Sequence, residues 1–187
     1  MANEMKWLQT GNISRRSFIC GFCGHTVGPS TGYGHAYGGK LILICPHCDS
    51  PTYFVGNSQT PAPLLGNKVE DVPEGIDKLY DEARACTGVG AFTAAVLACR
   101  KILMHIGVDK GAKEGKPFID YVEYLSDNHY VPPGGKDWVD HIRQKGNEAN
   151  HVISIMSKED ALDLITFCEM LLKFIYEFPK RIPKKPT

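Results

Sequence analysis

Four of the seven cysteines fall in two matched pairs, Cys20-Gly-Phe-Cys23 and Cys45-Pro-His-Cys48, with 21 residues between the pairs. Two residues between cysteines let one tight turn aim both sulfurs at a single ion. Two such turns at the ends of a β-hairpin supply four thiolates in tetrahedral geometry, the arrangement of a structural zinc site. Four cysteines close the coordination sphere and leave no position for substrate. Zn2+ is therefore expected here as a structural cofactor whose binding energy folds a segment too small to fold alone, and hydrolysis at the metal is disfavoured. Gly24 follows the second cysteine, where the backbone must turn toward the sulfur, and Pro46 stiffens the second turn. A redox dithiol or two unrelated buried pairs are the other readings, and His25 or His47 could replace a cysteine as ligand. Cys86, Cys99 and Cys168 fall on apolar helix faces and read as small core residues. An odd total of seven cannot pair fully in disulfides within one chain.

A second chemical constellation lies in Trp138-Val-Asp-His-Ile-Arg143-Gln-Lys-Gly-Asn147-Glu-Ala-Asn-His151. On a helix, Arg143, Asn147 and His151, spaced by four, form one stripe. They offer a phosphate clamp, an orienting amide and a proton carrier near neutral pH. That set could cleave RNA without a metal: the 2′-hydroxyl would attack the adjacent phosphate, with His151 as acid or base and Arg143 stabilising the developing charge. The same residues also make an ordinary hydrogen-bonded patch in a bundle or dimer seam, with Arg143 pairing Asp140 or Glu148.

The elements that must position these groups differ along the chain. Residues 1–70 hold 10 of the 19 glycines and five basic against three acidic residues, a balance of +2, so the remainder carries −2 and the whole is neutral. Neutrality excludes a strongly basic nucleic-acid coat protein and an acidic solvating tail, and leaves room for a local basic site. Candidate strands are Ser17–Phe22, Lys40–Ile44 and Thr52–Val55, with Gly28–Gly39 as a loop carrying Tyr33, His35 and Tyr37. Ser58–Gly66, with Pro61 and Pro63, reads as linker. From Val72 the apolar period becomes helical. Helices are predicted over Glu74–Ala85, about Val89–His105, Phe118–Asn128, about Lys136–His151, and from Ser157 to about Phe178. The last opens on a capping box, Ser157 to Asp160, and is ended by Pro179.

The domains expected are a zinc ribbon over 1–57, a linker over 58–71 and a helical bundle over 72–187. The N-terminus carries no apolar leader and no run is long enough to span a bilayer, so a soluble cytoplasmic protein is expected. Arg15, Arg16, Lys110, Lys113 and Lys116 could steer RNA, with Tyr33, His35 and Tyr37 as stacking surfaces.

Three pieces of the chain together resemble the bacterial and phage domain-of-unknown-function family 4145. They are the four-cysteine start, the run Val72-Pro73 to Arg84 with the Ala-rich helix to Arg100, and Ile142-Arg143 to His151, which looks like that family's "IR-x-x-GN-x-A-x-H" signature. The family is similar to the HEPN superfamily of helical bundles, many of them dimeric, metal-independent ribonucleases in toxin, antiphage and RNA-processing systems. The resemblance implies a mainly α protein, a HEPN-like bundle of about five helices behind a small β zinc ribbon. It also implies a homodimer through the helices, with RNA or a partner protein as target. Carried over, Arg143 and His151 are the catalytic candidates and Asn147 the polar helper. Superfamily members place four to six residues between Arg and His. Here seven separate Arg143 from His151, while Lys145 and His151 keep the spacing with Lys in place of Arg. The alternative function is a non-catalytic dimeric binding module, an accessory or inhibitor subunit in defence or counter-defence.

Overall fold

The computed structural model describes residues 7–9, 16–132, 138–142 and 155–181. The chain divides into two compact units, Met1–Leu64 with Gly88–Gly90, and Leu65–Thr87 with Ala91–Thr187. The fold is mainly α with a β part, as expected.

The first unit is antiparallel β. Its strands are β1 (Trp7–Gln9), β2 (Phe18–Ile19), β3 (Thr26–Val27), β4 (Gly32–His35), β5 (Lys40–Ile44), β6 (Pro51–Val55) and β7 (Ser58–Thr60). β2 and β3 form a two-stranded hairpin, and the rest form a sheet in the order β1-β4-β5-β6-β7. In β6 the alternation is regular: Thr52 and Phe54 point inward, Pro51 and Val55 outward. Phe54 meets Phe18 edge to face, ring centroids 5.0 Å apart, and Val27 and Leu43 complete the apolar part of this core.

Two expectations change here. The predicted loop Gly28–Gly39 contains β4, paired with β1 on one side and β5 on the other. Gly32 and Gly34 hide the strand from a propensity reading, because glycine adds no side chain to pack on a sheet. The predicted linker begins with β7, joined to β6 by a two-residue turn at Gly56-Asn57 in which Gly56 takes φ +56°.

The second unit is helical. α1 (Glu74–Gly88), α2 (Phe92–Asp109) and α3 (Phe118–Asp127) are followed by α4, described over 138–142, and α5 (Lys158–Leu172). A π-helical turn (Lys173–Glu177) then leads into α6 (Phe178–Arg181). α2 packs against both α3 and α5. It buries Ala95, Val96, Cys99, Ile102, Leu103 and Ile106, the three-and-four spacing of a core face. Arg100 lies on that buried side with its guanidinium 4.5 Å from the Phe118 ring centre, and burial lowers its pKa. Cys99 and Cys168 are fully buried core residues and Cys86 is half-buried.

The capping box at the start of α5 is complete. The Asp160 N–H donates to Ser157 Oγ at 3.1 Å, and the Ser157 N–H donates to Asp160 Oδ2 at 2.9 Å. Pro179 does not end the last helix. The Phe178 N–H donates back to the Lys173 carbonyl, one residue wider than an α-turn, and helix continues through Pro179 to Arg181. A wider turn gives a proline ring room that the i−4 carbonyl otherwise denies it.

Residues 65–70, the second half of the predicted linker, are tied down within this unit. Arg84 donates to the Leu65 and Gly66 carbonyls, and the Tyr80 hydroxyl to the Asn67 carbonyl. Asn67 donates twice to Glu169, through its backbone N–H at 2.8 Å and its amide at 3.1 Å. The Glu70 N–H donates to the buried Glu177 at 3.1 Å, whose other oxygen meets Arg181 at 2.7 Å. Among the described residues no helix is long and apolar enough to cross a membrane.

Candidate metal centre

Each cysteine pair occupies the turn of its own hairpin. Cys20–Cys23 sits between β2 and β3, and Cys45–Cys48 between β5 and β6, rather than both turns closing one hairpin as expected. The two turns repeat each other bond for bond. In the first, the Gly24 N–H donates to the Cys20 carbonyl at 2.9 Å and the Cys20 N–H to the His25 carbonyl at 2.9 Å. In the second, the Asp49 N–H donates to the Cys45 carbonyl at 2.9 Å and the Cys45 N–H to the Ser50 carbonyl at 3.0 Å. Both place the residue after the second cysteine in the left-handed region, Gly24 at φ +72° and Asp49 at φ +57°. Glycine adopts that conformation freely and aspartate tolerates it better than most side chains.

These turns bring all four sulfurs to one point. The Sγ atoms of Cys20, Cys23, Cys45 and Cys48 lie within 4.8 Å of one another. Cys20 to Cys48 and Cys23 to Cys45 both measure 3.8 Å. That is far beyond the ~2.0 Å of a disulfide, and all seven cysteines are free. A tetrahedron of thiolates about 2.3 Å from a central ion has edges of about 3.8 Å. The donor set and spacing therefore fit one tetrahedral metal ion. Cys20 and Cys45 are buried, and Cys23 and Cys48 are half-buried.

The thiols ionise unequally. Hydrogen bonding from the Ser50 side chain and then from its backbone lowers Cys48 to about 6. Cys23 is lowered by the His25 backbone, but burial and the sulfurs of Cys48, Cys20 and Cys45 outweigh this and push it up to about 12. Neighbouring thiolates repel, so one ionises readily while another resists. A bound cation reverses that preference and holds every coordinating sulfur deprotonated.

Among the exposed residues of the two cysteine turns are three aromatic rings, Phe22, His25 and His47. Phe22, at the tip of the first turn, is 55% exposed. His25 and His47, one from each turn, stack with centroids 3.6 Å apart and planes 21° from parallel. Their stacking is not visible in the sequence, because 21 residues separate them and only the folded cluster joins them. At the other end of β5 from the Cys45–Cys48 turn, Tyr37 in the β4–β5 turn is 74% exposed, its ring 5.6 Å from that of His35. Of the cations expected to steer RNA, Arg16 donates to the Gly56 carbonyl at 2.7 Å and lies 4.2 Å over the Phe54 ring. Lys110 pairs with Asp109 at 2.9 Å. Both serve the fold.

Arg143, Asn147 and His151 lie outside the described residues, as does Arg15. The turn of α4 leading to Arg143 is described. Val139 and Ile142 are buried, Trp138 meets Phe167 edge to face at 5.1 Å, and His141 Nε2 lies 2.9 Å from Asp163 Oδ2 on α5. That His–Asp pair was not singled out in the sequence, where the partners stand 22 residues apart.

No curated protein and no solved structure matches the chain. The family model described as a domain of unknown function, DUF4145, matches residues 81–185, from within α1 through α6, which is more than half of the sequence. By that match the chain belongs to the DUF4145 family.

Proposed function

We propose that this is a cytoplasmic nucleic-acid-binding protein whose zinc-held ribbon presents rings to single-stranded RNA, acting in conflict between bacteria and phages. The observation that carries the reading is the placement of exposed rings on the turns of a closed four-sulfur cluster. Zinc suits four soft thiolates in tetrahedral geometry and brings no redox chemistry. Phe22 on the first cysteine turn and Tyr37, exposed at the other end of β5, offer two separated stacking surfaces, and base–aromatic stacking tolerates any sequence. A neutral chain fits local contact of this kind rather than a broad electrostatic coat. Each stacked base is worth ~1–3 kcal/mol. Phe22→Ala and Tyr37→Ala should each weaken binding of a labelled single-stranded RNA by about fivefold or more, read by fluorescence anisotropy. Unchanged affinity in both variants overturns the reading.

The conflict setting and a homodimer through a HEPN-like bundle rest on resemblance. So does the catalytic form of the proposal, in which Arg143, Asn147 and His151 from two protomers cleave RNA without a metal. Incubation with RNA in excess EDTA, beside His151→Ala, tests catalysis. Equal cleavage by both proteins, or none by either, leaves the non-catalytic binding module.

A further inference from the structure

We propose that the helical unit binds a small phosphate monoester with a compact apolar or planar body, in a cavity lined by α2 and α3 where the Arg100 guanidinium holds the phosphate. The site lies wholly within the bundle and stands independently of the ribbon and of RNA binding.

The observation that carries this is a buried cation without a counter-charge. Arg100 is 4% exposed, and its Nη1 is buried with no hydrogen-bond partner. Among the described residues no carboxylate pairs with it; its neighbour is the Phe118 ring, 4.5 Å away. Burial lowers its pKa, but a guanidinium keeps its proton inside a protein, so the charge stays. The ring face offsets part of the desolvation cost. The rest calls for an anion, because buried charges are otherwise paired. The guanidinium fork matches two oxygens of a phosphate.

Arg100 lines a cavity of about 510 Å³, a volume suited to a small molecule. Leu97, Lys101, Met104 and Val108 follow one another on α2 at intervals of four, three and four, so they share a face of that helix. All four line the cavity. Lys101 and His105, one turn apart, are exposed along it. From α3 comes Tyr121, whose hydroxyl accepts the Lys116 N–H at 3.2 Å and keeps its own proton to donate. Glu114 is the one carboxylate in the lining, and it is exposed. Arg100 and Lys101 against Glu114 leave positive charge in excess, which suits a phosphate dianion better than a single carboxylate. Leu97, Met104 and Val108 offer apolar surface to the uncharged part of the ligand, and methionine adapts to varied shapes.

The test is titration of the isotope-labelled full chain in buffer free of phosphate and sulfate, followed by amide resonances. The probes are phenyl phosphate, inorganic phosphate, benzoate and phenol. Phenyl phosphate should shift the amides of residues 97–108 and 114–121 and bind about tenfold or more tighter than phenol. Arg100→Met keeps the apolar stem. It should weaken phenyl phosphate by about tenfold or more, since hydrogen bonds to charged groups are the strong ones. It should also melt no lower than the native protein, because the charge it removes is unpaired. Lys101→Ala, on the exposed face, should weaken binding about threefold. No shift at those residues with phenyl phosphate, or equal affinity in Arg100→Met, overturns the site. A lower Tm in Arg100→Met assigns the guanidinium to the fold and overturns the unpaired charge. Should Arg100→Met fail to fold, unchanged affinity in Lys101→Ala overturns the site instead. Benzoate binding as tightly as phenyl phosphate refutes the choice of phosphate, and inorganic phosphate binding as tightly refutes the apolar body.

Discussion

Among the described residues six side chains form the ribbon's buried core, two of them cysteines, and twenty-four form that of the helical unit, from Val69 through α5. Among the described residues the ribbon's apolar core beside the cysteines is Phe18, Val27, Leu43 and Phe54, a small set against the conformational entropy of ordering a segment of this size. An ion held by its four sulfurs would add stability that this core lacks. The bundle needs no such ion, because Leu103, Ile106, Leu164, Ile165, Leu171 and their neighbours are fully buried in close contact. We therefore expect folding of the ribbon to depend on that ion and folding of the bundle not to. The two should come apart when the ligand is removed.

Metal removal is accordingly the largest effect expected. Structural zinc contributes on the order of 10–16 kcal/mol to folding of small four-ligand modules. Chelation, or Cys45→Ser, should collapse the dispersed amide resonances of residues 16–64 while helical circular dichroism from the bundle stays within error. A ribbon that keeps its dispersion after the metal is gone would erase the contrast between the units.

How well each unit could be read from sequence follows a different divide, between local and remote partners. The four-cysteine cluster is legible because each pair is local: two residues between cysteines, and a glycine or aspartate just after. The start of α5 was legible for the same reason, since Ser157 and Asp160 satisfy each other within one turn. β4 was not, because its glycines carry no strand signal and its evidence is pairing with β1 and β5. The strap over residues 65–70 reads as linker in the sequence because its partners are remote; Glu169 stands 102 residues from Asn67. The π-turn before Pro179 went unseen because proline signals a stop and only packing shows that helix resumes. The stripe of Arg143, Asn147 and His151 is legible as a pattern and lies outside the described residues.

Within the bundle, core truncation comes next in size. Leu103 is fully buried on α2, and Leu103→Ala should cost ~2–5 kcal/mol through lost burial and the cavity left behind. Denaturant unfolding followed by helical signal measures it, and bound metal should not change. Loss of zinc in this variant would mean that the two units share their stability. A somewhat smaller cost is expected at Gly66. Its φ is +69°, and an added Cβ would lie 2.5 Å from Ile165 Cγ2 and 2.8 Å from the Tyr80 hydroxyl. Gly66→Ala should cost ~2–3 kcal/mol from backbone strain and crowding. A cost near zero would show that the strap is not packed as described.

Smaller again is the cap. Ser157→Ala removes the acceptor of the Asp160 N–H and should cost ~1 kcal/mol, seen as a shift in the bundle's unfolding midpoint at constant slope.

The smallest effect carries a pH signature. Burial works to push Glu169 up, but the Lys173 ammonium and the two Asn67 donors favour the ionised form and hold its carboxyl below the ordinary 4.5. A carboxylate with a depressed folded pKa contributes stability that is fully present above 4.5 and is lost as pH falls through the folded value. Glu169→Gln keeps the shape and removes the charge. At neutral pH it should lower bundle stability by about 0.5 kcal/mol, the exposed side of the pair being screened. Below pH 4.5 the native protein loses the same contribution, so the melting curves of the two proteins should converge as acid is added. A difference in Tm that stays constant from neutral pH down to pH 3 would show that the strap is held by shape and neutral hydrogen bonds, and that the carboxylate charge adds nothing.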